Sequence, residues 1–273
     1  MNRRTFALAG VAAGATLALG PRIAAAQQSI DYDRWADVKP MYFGDREVAD
    51  GSGLLALEAP ERAHDAALVP IAVVSKLAPD DPRRIAAVTL LVEGNPVPLA
   101  GRFAFPTQRI ARLETRVRVE SYTYVRAVAE LDDGSLATVA RFVKASGGCS
   151  AAAMKDPEKA MAQLGRMRLR TSGTRVTGGP VTAQVQVRHP NHSGMQFDQI
   201  SRTYIPAHYV ETIEVDYAGA PLIRVKADVS MSEDPSLRFT YRPQHAGDFE
   251  VSVRDSKDNV YRQAWSPFAG TAG

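Results

Sequence analysis

The chain has 273 residues, with 33 Lys or Arg against 30 Asp or Glu. The first 26 hold Arg3, Arg4 and Arg22 and no acid, so the remainder balances at 30 basic to 30 acidic, and neither half has the cationic excess of a nucleic-acid binder. A hydrophobic fraction of 45% with 23% charged residues excludes a disordered chain, and one cysteine, Cys149, excludes an internal disulfide.

Residues 1–26 read as a signal peptide: a charged start, an apolar run from Phe6 to Leu19, and Ala24-Ala25-Ala26 as a small-residue cleavage site. The run is too short to cross a bilayer, which takes roughly 20 apolar residues, so no membrane anchor is expected. Arg3-Arg4 with Phe6 resembles a twin-arginine signal; an ordinary secretory signal with two adjacent arginines is the alternative. Both place the mature protein outside the cytoplasm, with a bacterial periplasm the expected compartment. There a lone cysteine is buried and inert, paired to another molecule, or a working thiol.

The about 247 residues that follow suit two domains. Short strand signals fill the first half. Val69–Val74 and Ile85–Val92 are apolar runs, the second closed by the turn Glu93-Gly94-Asn95-Pro96. Ile110–Val119 largely alternates, Tyr122–Leu131 continues in β-prone residues, and Asp132-Asp133-Gly134-Ser135 turns into Leu136–Val143 as a hairpin. Alternation makes Arg109, Arg112, Arg116 and Arg118 the solvated face of a half-buried strand, with a docking patch for an anionic group as the other reading.

After Ser150 the composition shifts to helix formers. Asp156 is a candidate N-cap and Glu158–Leu164 a short helix, followed by linker punctuation at Thr171-Ser172-Gly173 and Thr177-Gly178-Gly179-Pro180. Strands resume in Val181–Val187, Tyr209–Tyr217, Leu222–Ser230, Leu237–Tyr241 and Phe249–Val253, and Asp255–Asn259 reads as the turn of a closing hairpin. The expected fold is all-β: two antiparallel β-sandwiches, residues 30–150 and 179–273, joined by a partly helical linker over 151–178.

Cys149 follows Gly147 and Gly148 just beyond a strand, and from Ala145 to Ala153 no neighbour is larger than the thiol. Two glycines give the backbone its widest freedom, so the segment reads as a thin, mobile, exposed arm carrying a nucleophilic thiol. A chance linker cysteine is the alternative. Catalysis by Cys149 itself would need a rigidly held histidine base, and none is local. His189 and His192 form H-x-x-H, and with His208 they would offer three imidazoles to zinc or copper; His64 and His245 lie elsewhere. The turn composition of His189–Gly194 favours packed or hydrogen-bonded histidines instead, and no metal is expected.

The residues also carry a family resemblance. Gly94-Asn95-Pro96-Val97-Pro98, Thr115–Val119, Asp133-Gly134 and the strand running into Gly147-Gly148-Cys149 resemble the SoxY sulfur carrier of thiosulfate oxidation. Val187-Arg188-His189-Pro190, Gly194, Ile205-Pro206-Ala207-His208, Ser232–Pro235 and Gly247-Asp248 resemble its partner SoxZ. The resemblance implies two immunoglobulin-like sandwiches in one chain, with Cys149 as the covalent sulfur-attachment site and Gly147 and Gly148 as the flexible arm. It implies no catalytic activity and no cofactor; cytochrome, thiosulfohydrolase or sulfane dehydrogenase enzymes would process the cargo. The sequence departs from the family at Ser150-Ala151-Ala152, where the family's carrier ends in Gly-Gly at a free C-terminus. The fused form resembles a subgroup associated with quinoprotein dehydrogenases, which leaves a scaffold for such an enzyme, without covalent cargo, as the alternative function. Cys149 also offers a disulfide to a second copy of the chain.

Overall fold

Alternation of apolar and polar residues dictates most of the strands, and their burial follows it: Val181–Val187 and Arg112–Val117 alternate strictly between core and partly exposed positions. The computed structural model describes residues 32–152, 157–173 and 178–266. The proposed signal peptide and Asp156 lie outside them.

In the first half, α1 (Trp35–Phe43) precedes β1 (Ala49–Asp50), β2 (Leu55–Glu58), β3 (Val69–Ser75), β4 (Ile85–Val92), β5 (Leu99–Ala104), β6 (Arg112–Val117), β7 (Thr123–Leu131) and β8 (Leu136–Val143). The expected hairpin is β7–β8, in register from Thr123↔Val143 to Glu130↔Leu136. A short helix, α2 (Pro157–Ala162), leads into β9 (Met167–Gly173) and β10 (Val181–Val187). After these come β11 (Phe197–Asp198), β12 (Thr203–Tyr204), β13 (Val210–Tyr217), β14 (Ala220–Ala227), β15 (Ser236–Tyr241), β16 (Phe249–Asp255) and β17 (Val260–Trp265). The chain is all-β and, apart from the short β1–β8 pair, its ladders are antiparallel. Among the described residues no helix is long and apolar enough to cross a membrane.

The strands form two layers that run through both halves of the chain. One sheet orders β1-β8-β7-β4-β5-β14-β13-β16-β17, the other β2-β3-β6-β15-β10-β9. The halves therefore meet edge to edge in each layer. β5 pairs with β14, from Gly101↔Ala227 to Ala104↔Arg224, and β6 pairs with β15 at Leu113↔Phe239. Phe103, Leu113, Val117, Val225 and Phe239 belong to a single buried cluster spanning the seam. Joining edges in this way removes four exposed strand edges that would otherwise invite aggregation.

β4 and β7 are buried almost throughout, and α1 reaches their sheet through two side chains. Trp35 stacks on the Arg126 guanidinium at 4.3 Å, and the Tyr42 hydroxyl accepts a bond from the Leu99 N–H. Beneath Trp35, Arg126 pairs at 2.5 Å with Glu93, whose side chain is wholly buried. Residues 167–173 lie in the span expected to be a partly helical linker, with Thr171-Ser172-Gly173 as its punctuation, but they form β9, which pairs with β10 along its whole length.

Candidate functional site

The chain leaves β8 at Val143 and meets the end of the seam, where β6 has just run out. There Val119 and Glu120 offer free backbone carbonyls, and the arm takes them: Gly147 N–H donates to Glu120 O and Gly148 N–H to Val119 O. Gly147 has a φ of +81°, which favours glycine. Gly148 lies so close to the neighbouring backbone that a Cβ on it would stand 2.1 Å from Ala66 O. The glycines are thus required for docking. The expectation of an exposed arm is corrected here: Cys149 is fully buried, and the segment around it is bound on both sides.

Glu120 holds one side. Its carboxylate accepts the Cys149 N–H at 2.7 Å, the Ser150 N–H at 3.2 Å and the Ser150 hydroxyl at 3.0 Å. The other side is held from the second half of the chain. Ser193 Oγ donates to Cys149 O at 2.5 Å, and Gln196 Nε2 donates to Ala151 O at 3.1 Å. Below the arm lies Arg118, 1% exposed. Its guanidinium bridges the two halves, donating 3.1 Å bonds to Gly148 O and to Asn191 O.

Burial, with a smaller push from the Glu120 charge, raises the Cys149 thiol to about 12, against a partial pull downward from Arg118. The docked sulfur is a protonated thiol, a weak nucleophile out of reach of reagents and of a second chain. A disulfide between copies through Cys149 requires the arm to leave this position.

The loop His189–Gln196 that clasps the arm is braced by its own network. Asn191 donates from Nδ2 to Met231 O, and its Oδ1 accepts from Val210 N–H. His189 Nδ1 accepts the Asn191 N–H. Of the three histidines weighed as metal ligands, two meet. His208 Nε2 lies 2.8 Å and His189 Nε2 3.5 Å from Asp255 Oδ2, with the two rings edge to face. His192 turns instead to Gln196, at 2.9 Å. Asp255 is already supplied by Lys257 N–H, Asn259 N–H and Nδ2, and Tyr261 OH, and a metal ion would have to displace these donors. The cluster fastens the loop to β16 and its turn. Burial, reinforced by the neighbouring His208, lowers His189 to about 4, so its ring is neutral.

The arginines of the β6 region separate. Arg112 pairs with Glu58 and Glu114, Arg109 donates to Arg83 O and Asp81 O, and Arg116 to Asp234 O; these lie on the solvent-facing side. Arg118 does not. Alternation would turn it outward, but β6 ends at Val117, and the arm and the His189–Gln196 loop close over it.

Two family models match the chain. Sulfur oxidation protein SoxY matches residues 39–149, ending on Cys149, and sulphur oxidation protein SoxZ matches residues 168–266. The chain is a SoxY domain and a SoxZ domain fused in one polypeptide. No curated protein matches it in sequence. Among solved structures it is similar to the sulfur carrier protein SoxY from Chlorobium limicola f thiosulfatophilum, at 21% identity over 40% of this chain and 89% of that one, TM-score 0.34. A superoxide reductase (neelaredoxin) from Ignicoccus hospitalis is 20% identical over 33% and 79% of the two chains, TM-score 0.29. The two tandem V-type regions of VCBP3 are 8% identical over 77% and 98%, TM-score 0.24.

The SoxY half thus supplies the thiol, Arg118 and Glu120, and the SoxZ half supplies Asn191, Ser193 and Gln196. Sequence reasoning picked out Cys149, Gly147 and Gly148 but missed Arg118, Glu120, Ser193 and Gln196 as their holders. The signal available was weak: a charged residue at each of positions 118 and 120, just past the end of an alternating strand.

Proposed function

We propose that the protein is a carrier in sulfur oxidation: Cys149 holds a sulfur intermediate covalently and presents it to separate enzymes, and the chain itself catalyses no turnover. The observation that carries this reading is the construction around the one cysteine. Four side chains from two fused domains are spent on holding the short segment Gly148–Ala151, chiefly through its backbone, while among the described residues no base is hydrogen-bonded to the sulfur. Backbone bonds of this kind hold a segment in place and still allow it to leave.

The arm works between two positions. Docked, the thiol is protonated and shielded from adventitious oxidation. Released, the segment carries the sulfur outward as a loop, since the chain continues through Ser150 and Ala151. The periplasm, reached by a twin-arginine signal at residues 1–26, is the compartment that fits both the leader and the need to protect a lone thiol. The client enzymes are redox and sulfur-processing proteins of that compartment, of the cytochrome, thiosulfohydrolase or sulfane dehydrogenase type, or a quinoprotein dehydrogenase.

The burial of Cys149 favours one rival, a scaffold for a quinoprotein dehydrogenase in which the thiol is structural. Replacement in the host separates them. A Cys149→Ser chain folds, since the substitution is nearly isosteric, and as a carrier it loses sulfur-compound oxidation completely. Unchanged oxidation with Cys149→Ser would establish the scaffold.

A further inference from the structure

Arg118 is a buried cation short of partners. A guanidinium has five N–H donors, and two of them are used here, each on a backbone carbonyl at 3.1 Å. Its Nε is buried with no hydrogen-bond partner. Among the described residues no carboxylate lies within ion-pair distance of it; Glu233 and Asp65 act on it only from farther away. Burying such a charge without a counter-ion costs several kcal/mol. Other buried ions among the described residues are matched: Arg126 has Glu93, and Asp255 has its donors.

We infer that Arg118 is the cargo-recognising residue, and that the group it is built for is the oxyanionic end of an S-sulfonate on Cys149. This rests on the carrier reading. The guanidinium lies between Asn191 O and Gly148 O, the carbonyl that precedes Cys149, one residue past the end of β6. A sulfonate brings one negative charge and three acceptor oxygens, which suit the planar fork of an arginine and supply the missing counter-ion. A sulfonate needs the clasp side to open, where Ser193 and Gln196 hold the arm through one hydroxyl and one amide. Glu120 carries like charge, but three donors of the arm already occupy its carboxylate. Arg118 is a specificity residue in this assignment: it favours oxidised, anionic cargo over a neutral adduct of similar size.

The test is an exchange equilibrium on the full chain. Cys149 is first converted to its 2-mercaptoethanol mixed disulfide by exchange with bis(2-hydroxyethyl) disulfide, which releases one 2-mercaptoethanol, then titrated with sulfite. Sulfite's sulfur lone pair attacks Sγ, the S–S bond breaks, and 2-mercaptoethanol leaves as its thiolate, giving Cys149–S–SO3⁻ with no external oxidant. Intact mass gives the ratio of the two forms. The expected result is a wild-type equilibrium about tenfold or more toward the sulfonate relative to Arg118→Met, with Arg118→Lys between them, the range of charge-assisted contacts. Exchange of 2-mercaptoethanol for 2-mercaptoethyl methyl ether, neutral for neutral, should give the same constant in all three. Should Arg118→Met not fold, the wild type alone decides: its sulfonate form melts higher than its 2-mercaptoethanol form. Equal constants in the three proteins, or a sulfonate form that melts lower, overturn the Arg118 assignment and leave the carrier reading standing. A Cys149 that accepts neither adduct from either reagent overturns both.

Discussion

Glu120 is the residue whose removal should free the arm. Its carboxylate accepts three bonds from Cys149 and Ser150, at 2.7, 3.2 and 3.0 Å. Hydrogen bonds to a charged group are worth roughly 1.5–3 kcal/mol each when fully buried. Glu120 is half-buried and water replaces part of the loss, so Glu120→Ala should weaken docking by about 2–3 kcal/mol in all, a rise of about 30–150-fold in the released population at 1.4 kcal/mol per tenfold. The assay is the pseudo-first-order reaction of Cys149 with Ellman's reagent at pH 8, in native protein and in urea. Wild type should react far more slowly folded than unfolded, Glu120→Ala about 30–150-fold faster than folded wild type, and Glu120→Gln, which keeps one acceptor, between them. The pH profile separates release from a local charge effect. A thiol raised from 9.0 to about 12 favours docking fully below pH 9, and that preference is lost as pH rises from 9 toward 12. The wild-type inflection therefore lies above 9, and the Glu120→Ala inflection falls back toward it. A folded wild type that reacts as fast as the unfolded chain, or a Glu120→Ala protein that reacts at the wild-type rate, refutes the docked arm.

Gly148→Ala tests the same docking without touching a charge: a Cβ 2.1 Å from Ala66 O and 2.7 Å from Val119 N meets backbone that cannot yield, so Cys149 should become reactive while the melting temperature of the sandwich drops only slightly. Arg126→Met leaves the Glu93 carboxylate buried without its partner and should cost about 3–5 kcal/mol in a urea titration. Acid should weaken the SoxZ half. His189, lowered from 6.5 to about 4, favours folding fully above pH 6.5, and this is lost between pH 6.5 and 4; His189→Gln should flatten the fall in the denaturation midpoint over that window. Residues 32–152 expressed alone should self-associate or aggregate on size-exclusion chromatography, because β5 and β6 lose their partner strands β14 and β15.

The strands were legible wherever one face is buried and the other wet. β10 and β6 alternate cleanly, and the Asp132–Ser135 turn fixed the β7–β8 hairpin. The seam was not legible, since β5 and β14 read the same whether they end a sheet or continue into another. α1 was missed because it lies on the outside of a sheet and shows no strong apolar stripe. In the site, the identity of the thiol and of both glycines followed from the sequence, but the behaviour of the arm did not. Gly-Gly reads equally as freedom and as close approach, and only the position of Ala66 O decides between them. Arg118 fits its strand's alternation as a surface residue. It is buried because the strand stops one residue earlier and chain from 30 or more residues away closes over it.

The central claim is that Cys149 carries sulfur. Intact-mass spectrometry of the protein isolated from sulfur-oxidising cells, without reductant and then with it, tests this most directly. The account predicts a reductant-labile mass increase, mapped by peptide analysis to Cys149, matching one or more sulfane sulfurs or a sulfonate. A bare thiol under every growth condition, after exposure of the released arm in Glu120→Ala as well, would contradict it.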